Sequence, residues 1–276
     1  MTSKDRPVGV FDSGIGGLTV LRALRGTLPA ESFVYLGDTA RLPYGTKTAA
    51  TVERYALQAA SLLVERGIKC LVIACNTASA AALPAIKARY PRLPVIGVVA
   101  PGAAAACAVT RNGHVAVIAT EGTVRGGAYE QAIRLLRPDI RVTAIATQLF
   151  VALAEEGWTT GEAATLTARR YLAPAFAVEA PPDTLVLGCT HFPLLRGAIA
   201  GVVGARVQIV DSALTTALVC REELITRGLL GEAGAAVSLD LLATDGAERF
   251  ARVGSEFLGM PIDSADIERV DLAPVA

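Results

Sequence analysis

Two of the five cysteines stand where a thiol can do chemistry. Cys75 in LVIACNTAS and Cys189 in LVLGCTHFP each end an apolar, β-type run and precede residues suited to starting a helix. A helix N-terminus stabilises negative charge, and a thiolate held there is both a base and a nucleophile. Cap-forming side chains follow each one, Asn76 and Thr77 in the first case and Thr190 in the second. Matching grammar at two places predicts a pair of opposed acid–base groups. Asp12, in FDSGIGGLTV, is either a carboxylate beside a thiol or the cap of the helix behind its turn. His191, two residues after Cys189, reads as a proton partner, as a core histidine, or with both cysteines as an incomplete zinc site. The other histidine, His114, simply opens a strand. Glu155 and Glu156 close an apolar segment, where a solvated helix end is the plain reading.

The glycine-rich turn excludes two familiar functions. A dinucleotide fingerprint needs glycine where Thr19 stands, and a phosphate loop needs a Gly-Lys-Ser/Thr that is absent after Gly14, Gly16 and Gly17. Asp38 does mimic the ribose-binding acid of the dinucleotide fold. It is the second residue of GDTARLPYGTKT, where Pro43 fixes its own φ and Gly45 lets the backbone present amides to a ligand; an ordinary surface loop is the alternative. A Schiff-base cofactor would need Lys4, Lys47, Lys69 or Lys87, and none lies in a feature suited to that task, Lys47 coming nearest.

Positioning these groups requires a scaffold, and 276 residues with 52% apolar and 19% charged side chains suffice for one large or two moderate domains. Basic and acidic residues balance at 26 each, without a basic block, which argues against a nucleic-acid partner. The N-terminal apolar stretch is broken by Asp12, so neither a signal peptide nor an anchor is expected. Leu93 to Thr110 is uncharged but holds Pro94, Gly97, Pro101 and Gly102, predicting a buried strand, a turn and an Ala-rich helix, not a membrane span. An odd number of irregularly spaced cysteines fits a reducing cytoplasm; Cys70, Cys107 and Cys220 read as core filler, and a Cys75–Cys189 disulfide as an oxidation artefact.

Strands are predicted at residues 8–12, 33–38, 71–74, 95–99, 115–120, 142–147, 185–188 and 207–210. Helices are predicted at 17–28, 49–66, 78–89, 124–136 and 161–178. Such alternation makes an α/β fold with buried, mainly parallel sheets, whose sites form at the carboxyl ends of strands. Asp12, Asp38, Cys75, Thr120 and Cys189 all fall there. VGVFDSGIGG parallels HVAVIATEGT, and LVIACNTAS parallels LVLGCTHFP, a faint repeat that predicts two similar lobes facing across a cleft. The proline-rich stretch 91–102 reads as one crossing and residues 210–212 as the return. The first lobe is then 1–98 plus 210–276, with Asp12, Asp38 and Cys75; the second is 99–209, with Cys189 and His191.

Taken together, DSGIGGLTV, GDTARLPYGTK, ACNTAS, LFVALAEEG and LGCTHFPLL closely resemble, in order from Val8 to Leu195, the glutamate racemases of bacterial cell-wall synthesis. The resemblance implies a cofactor-independent, metal-free enzyme of two pseudo-symmetric α/β domains with its active site between them. It makes Cys75 and Cys189 the catalytic thiols, Asp12 and His191 their auxiliary acid–base groups, and Glu155 a further carboxylate. By the same resemblance Asp12-Ser13, Tyr44-Gly45, Asn76-Thr77 and Thr190-His191 bind substrate, with Asp38 and Thr123. Cys75 would serve D-glutamate and Cys189 L-glutamate, and a cytoplasmic homodimer is a family expectation without a visible interface signal. Two positions depart from the pattern. VALAEE lacks the usual proline, and Gly126 stands for a usual serine, loosening one hydrogen bond. Ser79 and His191 side with glutamate over the related aspartate racemases, which remain the alternative, along with a non-catalytic amino-acid-binding module. The missing third glycine argues against a nicotinamide-dependent oxidoreductase.

Overall fold

Unbroken runs of β-branched and aromatic residues, rather than alternating ones, produce strands buried on both faces. VGVFD, FVYLG, CLVI, HVAVIA and TLVLG are buried at every position. The structure is a computed structural model and describes residues 3–234 and 236–274. The chain builds β1 (Val8–Asp12), α1 (Leu18–Thr27), β2 (Phe33–Gly37), α2 (Ala49–Glu65), β3 (Cys70–Ile73), α3 (Asn76–Arg89), β4 (Val95–Gly97) and α4 (Val99–Val109). Next come β5 (His114–Ala119), α5 (Glu121–Gly126), α6 (Ala128–Leu136), β6 (Arg141–Ala146), α7 (Leu149–Glu155), α8 (Gly161–Phe176), β7 (Thr184–Gly188), α9 (Arg196–Val203) and β8 (Gln208–Asp211). Last are α10 (Ser212–Thr226), β9 (Leu239–Ala243), α11 (Ala247–Leu258) and β10 (Ile267–Arg269).

Two sheets result, one of six strands in the order β10-β9-β2-β1-β3-β4 and one of four in the order β6-β5-β7-β8. Every pairing is parallel. The faint sequence repeat becomes topology: β2-β1-β3-β4 has the same order of connection as β6-β5-β7-β8. Val10 lies between Tyr35 and Val72, as Val117 lies between Ala144 and Val186. In each sheet the cysteine follows the strand beside the central one. One core runs without a break from Val10 and Val72 of the larger sheet to Ile118 and Leu187 of the smaller, through Ala213, Ala217 and Cys220 of α10. The outer faces carry their own cores, under α2 and α3 on one side and under α4 and α6 on the other.

Some elements differ from expectation. The predicted helix 124–136 is two helices, because Gly127 adopts a left-handed φ of +61° that ends α5 and restarts the chain as α6. Strands β9 and β10 extend the larger sheet beyond the predicted strands. LDLLA has the composition of a helix, and its pairing with β2 overrides that preference. Residues 93–110 form β4 and α4 as predicted. Among the described residues no helix is long and apolar enough to cross a membrane.

Candidate active site

The first wall of the site grows from β1 and β3. Cys75 is the N-cap of α3, and its sulfur accepts the Ala78 N–H at 3.4 Å. Its Sγ lies 3.6 Å from Ser13 Oγ. Asp12, the last residue of β1, accepts the Gly14 N–H on Oδ2 at 3.1 Å, while Oδ1 has no partner among the described residues. Burial raises the Asp12 carboxyl above its ordinary range, against the pull of the His191 charge and the turn amides. Burial also pushes the Cys75 thiol up to about 12, with Asp12 adding to the push and the Ala78 amide and Ser13 opposing it. Cys75 is therefore a thiol at neutral pH.

The second wall grows from β7 and is built differently. Cys189 and Thr190 lead into a short 3-10 turn, Phe192–Leu195, for which His191 is the N-cap without a side-chain cap bond. The expected helix start after Cys189 is thus a tighter turn, and the sulfur's partner there is a ring. His191 Nδ1 lies 3.7 Å from Cys189 Sγ and Nε2 lies 3.0 Å from Glu155 Oε1. Burial works against charge on His191, but the hydrogen bonds to Cys189 and Glu155 outweigh it and raise its pKa to about 10. Burial would raise Glu155 too, and the same bond to His191 brings it below the usual range. The pair is an imidazolium and a carboxylate at neutral pH. Glu156, its sequence neighbour, is 63% exposed in its side chain and comes no nearer than 4.0 Å to Arg249 Nη2.

The two walls meet over a narrow cleft. Ser13, Tyr44, Gly45, Cys75, Asn76, Thr77, Cys189, Thr190, His191 and Glu155 all line it. Larger hollows on the outer surface, around Arg25 and Met260 or Arg6 and Tyr90, contain no cysteine. Asp12 sits behind the lining. Asp38 is also behind it, its carboxylate occupied by Tyr44 Oη, by Arg41 Nε at 2.7 Å and by Thr244 Oγ at 3.1 Å. Thr123 joins Thr77 and Thr120 in a triangle of hydroxyls 3.0 to 3.1 Å apart. Ser79 does not reach the cleft; it bonds Ile73 O and the Val98 N–H and ties β3 to the segment after β4.

Contacts between the walls explain the glycines. Thr19 Oγ, at the position that spoils the dinucleotide fingerprint, donates to Thr190 O at 2.8 Å. A Cβ on Gly16 would overlap the His191 ring and Thr190 Oγ. Gly16 is bare so that the turn after β1 can press against the opposite wall, whereas a Cβ on Gly17 would meet Asp12, Tyr35 and Ala74 of its own wall. Asn76 accepts the Tyr129 hydroxyl on Oδ1 at 2.7 Å, which leaves its Nδ2 at the cleft without a partner among the described residues. Gln148 Oε1 is buried there as well, with no partner among the described residues. Gln148 was not singled out in the sequence, although it stands just past the carboxyl end of β6, where the rule that flagged Thr120 applies equally. Nor were Arg249 and Phe257, which reach Glu155 and His191 from α11. All five cysteines are free thiols. Among the described residues no cluster of three or more His, Cys, Asp or Glu side chains is placed to hold a metal ion.

The profile of the Asp/Glu/Hydantoin racemase family matches residues 18–219. The chain is 50% identical to the glutamate racemase of Geobacter metallireducens over 267 residues, 97% of each chain. It superposes with a TM-score of 0.92 on a glutamate racemase isoform of Bacillus anthracis, at 35% identity, over 99% of this chain and 100% of the other. The glutamate racemase of Francisella tularensis in complex with D-glutamate gives 0.89 at 35% identity, covering 98% of both. With its paired thiols, its two parallel sheets and these near full-length relatives, the chain belongs to the Asp/Glu racemase family, among its glutamate racemases.

Proposed function

We propose that the protein interconverts L- and D-glutamate without a cofactor, through Cys75 and Cys189, and supplies D-glutamate for peptidoglycan. The observation that carries this is the pair of buried sulfurs bordering one cleft from different sheets, each with its own proton partner. Inverting an α-carbon requires removing its proton from one face and delivering another to the opposite face. From L-glutamate, Cys189 as thiolate takes the α-proton, and the electron pair left on carbon takes the thiol proton of Cys75. The products are D-glutamate, a Cys189 thiol and a Cys75 thiolate, and the reverse transfer serves D-glutamate.

The charges suit this assignment. Cys75 is held protonated, ready to donate, while the charged His191 ring lies 3.7 Å from the Cys189 sulfur. Asp12 tunes the first sulfur and Glu155 keeps His191 charged. Ser13, Tyr44, Gly45, Asn76, Thr77 and Thr190 bind the substrate, with Asp38 acting through Tyr44 and Thr123 through Thr77 and Thr120. Backbone amides after Ser13, Asn76 and Thr190 are suited to its carboxylates. Each acid–base group contributes about 10²–10⁴-fold. Positioning and stabilisation of the developing carbanion supply the rest.

Lobes of 1–98 plus 210–276 and of 99–209, a cytoplasmic location and a homodimer belong to the same proposal; light scattering decides the last. The function is tested by following the optical rotation of either enantiomer with purified, dialysed protein. Racemisation is expected without additive and is expected to vanish in Cys75→Ala and in Cys189→Ala. Either variant racemising both enantiomers at substantial rate refutes the two-thiol assignment.

A further inference from the structure

The geometry points to Arg249 as a positioning residue for the Cys189 half of the reaction, an inference that rests on the two-thiol reading. Arg249 lies in the first turn of α11, between β9 and β10 of the six-stranded sheet. Its Nη2 is 2.9 Å from Glu155 Oε2 and 4.0 Å from Glu156 Oε1. Glu155 ends α7, which follows β6 of the four-stranded sheet, so the ion pair spans the two halves of the molecule. The other oxygen of the same carboxylate, Oε1, takes His191 Nε2. Further along α11, Phe257 meets the His191 ring edge-on at a centroid distance of 5.2 Å.

One helix therefore fixes both members of the pair behind Cys189. A glutamate carboxylate rotates about a broad terminal torsion. Anchoring Oε2 on the guanidinium removes that freedom, presents Oε1 to Nε2, and so aims Nδ1 at the sulfur. Arg249 does not line the cleft and touches neither sulfur, which makes its action indirect. Cys75 has no such tether, since Ser13, Ala78 and Asp12 lie on the strand and helix of its own wall. Loss of Arg249 should then slow one proton transfer and spare the other. Helix α11 itself is held by buried Phe250, Val253 and Phe257, with Phe250 edge-on to Tyr35 at 6.0 Å, and does not depend on Arg249 to fold.

The test is Arg249→Ala, with Arg249→Lys and Glu156→Gln beside it, assayed with α-deuterated L- and D-glutamate. Because the overall equilibrium constant is one, kcat/KM must fall equally in both directions. A fall of about fivefold is expected, the equivalent of an ion pair worth about 1 kcal/mol. The isotope effect separates the halves: in Arg249→Ala it rises from L-glutamate, whose proton Cys189 removes, and falls from D-glutamate. Arg249→Lys restores most of the rate, and Glu156→Gln behaves as wild type. A uniform loss with both isotope effects unaltered, or no loss at all, overturns the role of Arg249 while leaving the racemase reading intact. Wild-type protein that fails to racemise either enantiomer overturns that reading instead.

Discussion

Replacing Glu155 with glutamine keeps the shape and an acceptor at the His191 ring but removes the charge. The bond in question, Nε2 to Oε1 at 3.0 Å, joins a ring 9% exposed to a carboxylate 14% exposed, so water screens it little. A hydrogen bond to a charged group is worth about 1.5–3 kcal/mol, or about one to two pH units at about 1.4 kcal/mol per unit. His191, raised from 6.5 to about 10 in the native protein, should therefore titrate about one to two units lower in Glu155→Gln. The sign carries into stability. A folded pKa above the unfolded value means that the stabilisation is complete below 6.5 and is lost as pH rises through about 10. In the variant the same loss begins near 6.5 but is smaller and is complete at lower pH. Magnetic resonance of the imidazole carbons reads both proteins directly, because there are only two histidines and burial lowers the pKa of His114. A native His191 titrating near 6.5, or the same midpoint in both proteins, refutes the reasoning.

Gly16→Ala should place a methyl group into His191 and Thr190 and misalign the second wall, reducing kcat about 100-fold while circular dichroism stays native. Activity within a factor of two of wild type would show that the turn has room to spare. Lys69→Met should break a buried ion pair with Glu31, whose side chains are 1% and 2% exposed, and strand the carboxylate. The expected destabilisation is about 3–5 kcal/mol, roughly a 10 °C drop in Tm by calorimetry. Activity at 25 °C should persist, because Lys69 precedes β3 at the end of the sheet away from Cys75.

The strands that carry chemistry were legible because each is a short, fully apolar run ending in a polar residue. Asp12, Cys75 and Cys189 lie at such ends, the two cysteines lining the cleft and Asp12 standing behind it. Their partners were legible only where the chain keeps them close. His191 is two residues from Cys189, whereas Glu155 entered by resemblance and looked, by its own context, like a solvated helix end. It is the tertiary bond to His191 and Arg249 that decides between Glu155 and Glu156. Arg249 had no local signal at all, since it reaches Glu155 only after β9 returns the chain to the larger sheet. Strands β9 and β10 escaped because LDLLA holds no β-branched or aromatic residue and IER is only three residues long. The apparent symmetry of the two cysteine motifs also misled in one respect. Cys75 caps a fourteen-residue helix, while Cys189 precedes a four-residue 3-10 turn and relies on a charged ring.

Opposed proton transfer is tested most directly by racemising L-glutamate in deuterium oxide and analysing both enantiomers at early times. Two thiols on opposite faces predict D-glutamate carrying deuterium at the α-carbon while the remaining L-glutamate still carries protium. Equal deuterium in both enantiomers from the first turnovers would mean one base serving both faces, and would contradict the account.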